Sequence, residues 1–213
     1  SSQRVFWKVR SWDQQDLPSD WSQIASWTMG VLREEDWQGK WIVAPWTSES
    51  LLLRHEFQAP KRIKGALLHI CGLGQHEVSI NGTKASTDLL APGWSKYDKT
   101  CLYETLDISQ LIRPGRNAIG VALGNGMYHT ERRNRFSKFQ GTHGPLRLRA
   151  QIELEYEDES RTVIPSDSQW RVSTGPVTYN DIFGGEDYDA RFIENGWDEP
   201  GFDQRSWTRA VEL

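Results

Sequence analysis

Cysteine is scarce in this chain, with only Cys71 and Cys101 among 213 residues. Two thiols cannot form a disulfide framework, nor a structural zinc site without histidine help. The expectation is two buried free thiols on strands. Long apolar runs are missing, so no helix-length segment can span a bilayer. The opening stretch SSQRVFWKVR places charges and aromatics where a signal peptide needs an apolar run. Positive charge is in deficit: 25 Lys and Arg against 29 Asp and Glu leave a net charge of -4. That balance excludes a general affinity for nucleic-acid phosphate. Helical periodicity is scarce as well. Its best candidate is LDISQLIRPG (106–115), where Asp107 or Ser109 can cap a single turn and Pro114-Gly115 ends it. There is no internal repeat and no low-complexity segment, and nothing fixes the compartment.

Tryptophan and strand periodicity are abundant. Eleven Trp residues supply flat apolar area with a hydrogen-bonding edge, as β-sandwich cores, domain seams and sugar-stacking platforms all require. Residues 146–156 alternate without a break. Leu146, Leu148, Ala150, Ile152, Leu154 and Tyr156 share one face, the pattern of a half-buried antiparallel strand. LLLRHEF groups Leu51, Leu53, His55 and Phe57, NAIGVAL groups Ile119, Val121 and Leu123, and SQWRVS groups Trp170 and Val172. ALLHIC and HEVSI flank a Gly-rich bend. Many short alternating strands between turn signals predict an all-β chain folded as a jelly-roll, galactose-binding-like β-sandwich. Asn81-Gly82-Thr83 matches a glycosylation sequon, but Asn-Gly between two strand patterns is first a hairpin turn.

The first 30 residues form two strand patterns around a polar turn, Asp13 to Asp20, and a lone two-stranded hairpin must lean on something. Its pattern resembles the last two strands of a fibronectin type III or immunoglobulin-like domain. The expected division is therefore 1–30, the end of such a domain, and 31–213, the sandwich, with a linker leading in over 37–50.

From residue 30 onward the landmarks run EDWQGKWI (35–42), LRHEFQAPKRIKGALLHICGLGQHEVSING (53–82), LLAPGWSKYDKTCLYETLDISQLIRPGRNAIGVALGNGMY (89–128), NDIFGGEDYDAR (180–191) and GWDEPGFDQRSWTRA (196–210). This order resembles the N-terminal β-sandwich domain of bacterial α-L-rhamnosidases, glycoside hydrolases that remove terminal rhamnose. The resemblance implies a helical-barrel catalytic domain C-terminal to the β domains, and that barrel supplies the general acid and base of an inverting hydrolysis. The chain ends at Leu213, so no catalytic residue is expected within it. Its expected role is an accessory domain that supports the barrel as partner in the same polypeptide and contacts rhamnose-containing glycan. The alternatives are a structural spacer without ligand, an adhesion module and a self-sufficient hydrolase.

Three constellations carry the candidate glycan contacts. In GNGMY, a strand ending in Gly-Asn-Gly exposes backbone and an amide, neutral groups that suit sugar hydroxyls and single out Asn125 and Tyr128. The basic run after it, Arg132, Arg133, Arg135 and Lys138 with Phe136 and Phe139 interleaved, reads as a solvated loop or a docking surface. In PGWSKYD, Trp94, Tyr97 and Asp98 can form a stacking platform with an acid. In NDIFGGEDYDAR, Gly184-Gly185 makes a tight turn, Asp189 and Arg191 tie it down, and Asp181 and Glu186 face outward toward a sugar or the catalytic domain. No metal is expected. The calcium-loop spacing is absent, and where some modules similar to this one hold calcium, this chain reads Gly74-Gln75-His76 with no carboxylate before Glu77.

Overall fold

A computed structural model describes residues 1–48, 50–130, 135–136, 138 and 141–213. It divides into two compact units, Ser1–Trp37 and Gln38–Leu213.

The first unit is an antiparallel hairpin of β1 (Arg4–Trp7) and β2 (Ala25–Thr28). Its arms extend through the Trp12–Pro18 bridge to a turn in which the Asp13 carboxylate accepts from the amides of Gln15 and Leu17. The unit carries on to Trp37 because its ends are tied together. Ser1 Oγ donates to Asp36 at 2.5 Å, and Arg33 pairs with Asp36 at 3.0 Å beside a single 3₁₀ turn, Glu34–Asp36.

The second unit is an all-β sandwich. Its strands are β3 (Ile42–Val43), β4 (Ser50–Ala59), β5 (Ile63–Leu73), β6 (Gln75–Ile80), β7 (Thr83–Lys84), β8 (Glu104–Asp107), β9 (Gly115–Gly124), β10 (His129–Thr130), β11 (Gly141–Thr142), β12 (Arg147–Tyr156), β13 (Arg161–Pro165), β14 (Arg171–Ser173), β15 (Val177–Asp181), β16 (Gly185–Tyr188), β17 (Thr208–Arg209) and β18 (Val211–Glu212). One sheet runs β18-β3-β12-β5-β8, with β13 also paired to β12; the other runs β17-β14-β4-β9-β6-β7. β10 pairs with β11 and β15 with β16, each as a separate ribbon.

The alternating residues meet between the two sheets. Leu148, Ile152, Leu154 and Tyr156 of β12 and Leu68 and Ile70 of β5 pack with Leu51, Leu53, Ile119, Val121 and Leu123 of the facing sheet. Trp170 and Val172 complete that core, and Trp170 stacks on His55 with ring centroids 5.6 Å apart. The segment 37–50 contributes β3, whose Ile42 is fully buried.

The Asn81-Gly82 turn joins β6 to β7 with both residues at positive φ, 53° and 77°, as a type I′ turn requires. The Asn81 side-chain nitrogen donates to Leu111 O at 2.9 Å and to Asn117 Oδ1 at 2.8 Å, so in the folded chain this sequon offers no amide to a glycan. At 106–115 the chain makes only a turn. Asp107 caps it by accepting from the Ser109 amide, but three residues do not close a helix before Pro114. The two thiols differ from expectation: Cys71 is buried on β5, whereas Cys101 is exposed and lies outside any strand. Burial pushes the Cys71 thiol up to about 12, with Cys101 adding to the effect.

The outer face of the second sheet is covered by residues 194–207. Arg54, wholly buried, donates to Trp197 O and Glu199 O and to the Gln204 side chain, and pairs with Glu56 at 2.8 Å. Ser79 donates to Asp198 at 2.6 Å. Under this strap β9 carries Gly120, where a Cβ would come within 2.5 Å of the Asp198 Cβ.

Candidate functional site

The end of β9 and the β15–β16 ribbon bring two of the three constellations together. The Asn125 amide nitrogen donates to Asn180 O at 2.9 Å, and its backbone N–H donates to Asn180 Oδ1 at 2.7 Å. Asn125 is 1% exposed. Asp181 is also buried, its Oδ1 accepting from the amides of Phe183 and Gly184 at 2.8 and 2.7 Å, which builds the turn into Gly185 at φ +86°. Glu186 sits opposite Asn180 in the ribbon and is exposed. Asp189 caps the 3₁₀ turn Ala190–Phe192 and grips Arg191 in a two-toothed pair that holds its carboxyl below the usual range. Arg135 pairs with Asp187 at 2.6 Å and lies over the Tyr179 ring, so this residue of the basic run is tied to the acidic ribbon. Arg132, Arg133 and Phe139 lie outside the described residues.

Tyr128 and Tyr97 form a second group. Their rings meet edge to face with centroids 5.2 Å apart, beside His143 and over Cys71 and Leu73. The Tyr128 hydroxyl donates to His143 O at 2.9 Å, and burial raises the pKa of both phenols. Trp94 and Asp98 of the same loop are exposed, Trp94 by 66%. The site residues therefore separate by role. Asn125, Tyr128 and Asp181 direct polar atoms into the chain's own backbone, while Trp94, Asp98 and Glu186 point to solvent.

A third place was not singled out by the motifs. A cleft of ≈ 130 Å³ opens beside β6 and β7, with His76, Glu77, Asp88 and Glu104 in its wall. The signal for it lies in QHEVSI, where the alternation that sends Val78 and Ile80 inward sends His76 inward too. The Gln75 side-chain amide donates to Leu90 O at 3.4 Å.

The family model described as the α-L-rhamnosidase N-terminal domain matches residues 61–213. The chain belongs to this family. A second model, a Rha78A-like, N-terminal immunoglobulin domain, matches residues 1–33, over the hairpin unit. An α-L-rhamnosidase of Formosa agariphila is 33% identical over 98% of this chain and 25% of its own length. Among solved structures, the α-L-rhamnosidase from Dictyoglumus thermophilum superposes with a TM-score of 0.88 at 36% identity, covering all of this chain and 25% of that one. The Streptomyces avermitilis α-L-rhamnosidase complexed with L-rhamnose gives a TM-score of 0.72 at 38% identity over 80% of this chain and 16% of that one. This rhamnosidase N-terminal domain thus spans about a quarter of the length of the curated relatives it matches over nearly its whole extent.

Proposed function

We propose that the chain is a non-catalytic accessory domain of a larger α-L-rhamnosidase, bracing a catalytic domain carried in the same polypeptide. The observation that carries this reading is the match to the N-terminal domain model over 61–213 in a chain that spans a quarter of its relatives. The geometry agrees in kind, because Asn125, Tyr128 and Asp181 spend polar atoms on holding loops in place. One preparation tests it. The chain alone is expected to release no p-nitrophenol from p-nitrophenyl α-L-rhamnopyranoside, whereas the full polypeptide releases it; release by the chain alone would overturn the reading.

A second reading keeps rhamnose-containing glycan as a ligand, and the exposure of Trp94 beside Tyr97 and Asp98 favours it. On this reading Asn125, Tyr128 and Asp181 hold their loops in place, and the exposed Trp94 and Glu186 are the candidate contacts. The Streptomyces avermitilis relative holds L-rhamnose, which supports the same class of ligand here. Titration of the same preparation with L-rhamnose, followed by tryptophan fluorescence, separates a glycan-binding domain from a brace alone.

A further inference from the structure

Asparagine followed by glycine is chemically labile, because the glycine N–H, with no side chain to shield it, can reach the asparagine carboxamide. The chain has three such pairs, Asn81-Gly82, Asn125-Gly126 and Asn195-Gly196. The fold treats them differently. The Asn81 carboxamide donates to Leu111 O and Asn117 Oδ1 and accepts from the Ala118 amide at 2.9 Å. The Gly82 N–H, the group that would attack, donates to Asp198 O at 3.2 Å. Asn125 is buried, with its carboxamide nitrogen committed to Asn180 O. Attack at either pair requires the sandwich to open locally first.

Asn195 stands at the start of the strap and is exposed. Neither its carboxamide nor the Gly196 N–H makes a hydrogen bond among the described residues. The turn around it is closed by the Trp197 N–H donating to Glu194 O at 3.3 Å, longer than the usual range, with Gly196 at φ +73°. Such a turn can flex while the sheets beneath it stay paired.

We infer that Asn195 is the place where the folded chain deamidates, and that the product loosens the strap. The Gly196 nitrogen bonds to Asn195 Cγ and gives up its proton, and the carboxamide nitrogen leaves as ammonia. Water then opens the resulting succinimide ring at one of its two carbonyls. Opening at Cγ leaves aspartate; opening at the backbone carbonyl leaves isoaspartate, whose main chain runs through Cγ and is one methylene longer. The sum is carboxamide plus water giving carboxylic acid plus ammonia. Either product sets a negative charge between Glu194 and Asp198. The longer main chain also shifts its neighbours, Glu194, which accepts from the Trp207 indole at 3.2 Å, and Trp197, whose carbonyl accepts from Arg54 at 2.7 Å.

The test incubates the 213-residue chain at mildly alkaline pH and body temperature. Peptide mass spectrometry follows the gain of one mass unit at each Asn-Gly pair, and enzymatic methylation of isoaspartate identifies that product. In the folded protein, conversion at Asn195 is expected to outpace that at Asn81 and Asn125 by about tenfold or more, the factor set by the cost of local opening. In urea, where no fold holds any of the three, the rates should converge. Asn195→Gln, which cyclises far more slowly, should abolish the conversion there. Aged protein should show faster amide exchange over 197–204 than fresh protein, and aged Asn195→Gln protein should not. Equal rates at the three pairs in the folded chain, or a ratio unchanged in urea, would overturn the assignment of the site. Exchange over 197–204 that stays the same in isoaspartate-bearing protein would overturn the effect on the strap.

Discussion

His55 and His69 show how one residue type ties the sandwich to pH. His55 lies flat on Trp170, and burial pulls its pKa down, with Asp167 opposing. His69 is fully buried beside Thr105 and Tyr103; burial again lowers its pKa and Glu153 opposes. In both cases the unfolded chain binds a proton more readily than the folded one. Their stabilising contribution is complete above the unfolded value of 6.5 and falls away as pH drops through the folded values. Glu56 and Glu155 have lowered folded pKa values, so their contribution has the same sign and is lost further down, below their ordinary 4.5. The urea midpoint is therefore expected to fall steadily between about pH 7.5 and pH 5.5, where histidines titrate. A His55→Gln, His69→Gln protein should flatten that fall. An unchanged slope in the double variant would assign the pH dependence to other groups.

The strap formed by residues 194–207 and the strands beneath it act as one unit. β9 alternates large inward residues, Ile119, Val121 and Leu123, with small outward ones, Ala118, Gly120 and Ala122. The small residues leave room for Trp197 and Asp198, and Arg54 fastens the strap through the carbonyls of Trp197 and Glu199. A Gly120→Ala side chain would lie 2.5 Å from the Asp198 Cβ and 2.9 Å from the Trp197 ring. The expected cost is about 1–3 kcal/mol, as for other overpacked sites. Amide exchange should rise over 197–204 while β12 and β5 keep their protection. A variant as stable as the parent would show that the strap gives way without cost. The small residues of β9 were visible in the sequence, but the element that covers them was not.

At the scale of the whole molecule, the two units differ in what they bury. In Ser1–Trp37 only Val31 is buried, while Phe6, Trp7, Trp12, Trp21 and Trp27 are all at least 46% exposed. Lys8 and Arg10 cover the Trp21 ring at 4.3 and 4.6 Å, which shields one aromatic without building a core. A two-stranded ribbon of this kind is marginal by itself, whereas the six-stranded sheets of the second unit enclose a continuous core. Hydrogen exchange should therefore show fast amides over residues 4–28 and protection confined to Gln38–Leu213. Equal protection in both units would contradict this division of stability.

The strands, their inward faces and the Asn81-Gly82 turn were legible from sequence because each depends on local physics: a period of two, and a turn that needs positive φ at adjacent residues. The order of the motifs likewise carried the family. What only the tertiary structure decided depends on partners far away in the chain. Arg54 looks like the outward residue of a half-buried strand, and it is buried because Trp197, 143 residues later, closes over it. Asn125 looks available for a ligand until Asn180, 55 residues on, takes up its amide. His76 reads as one more inward residue of β6, and only the meeting of β6, β8 and the 86–91 segment gives it a cleft and a carboxylate neighbour. Alternation reports which way a side chain points, but the groups that meet it there are set by long-range packing.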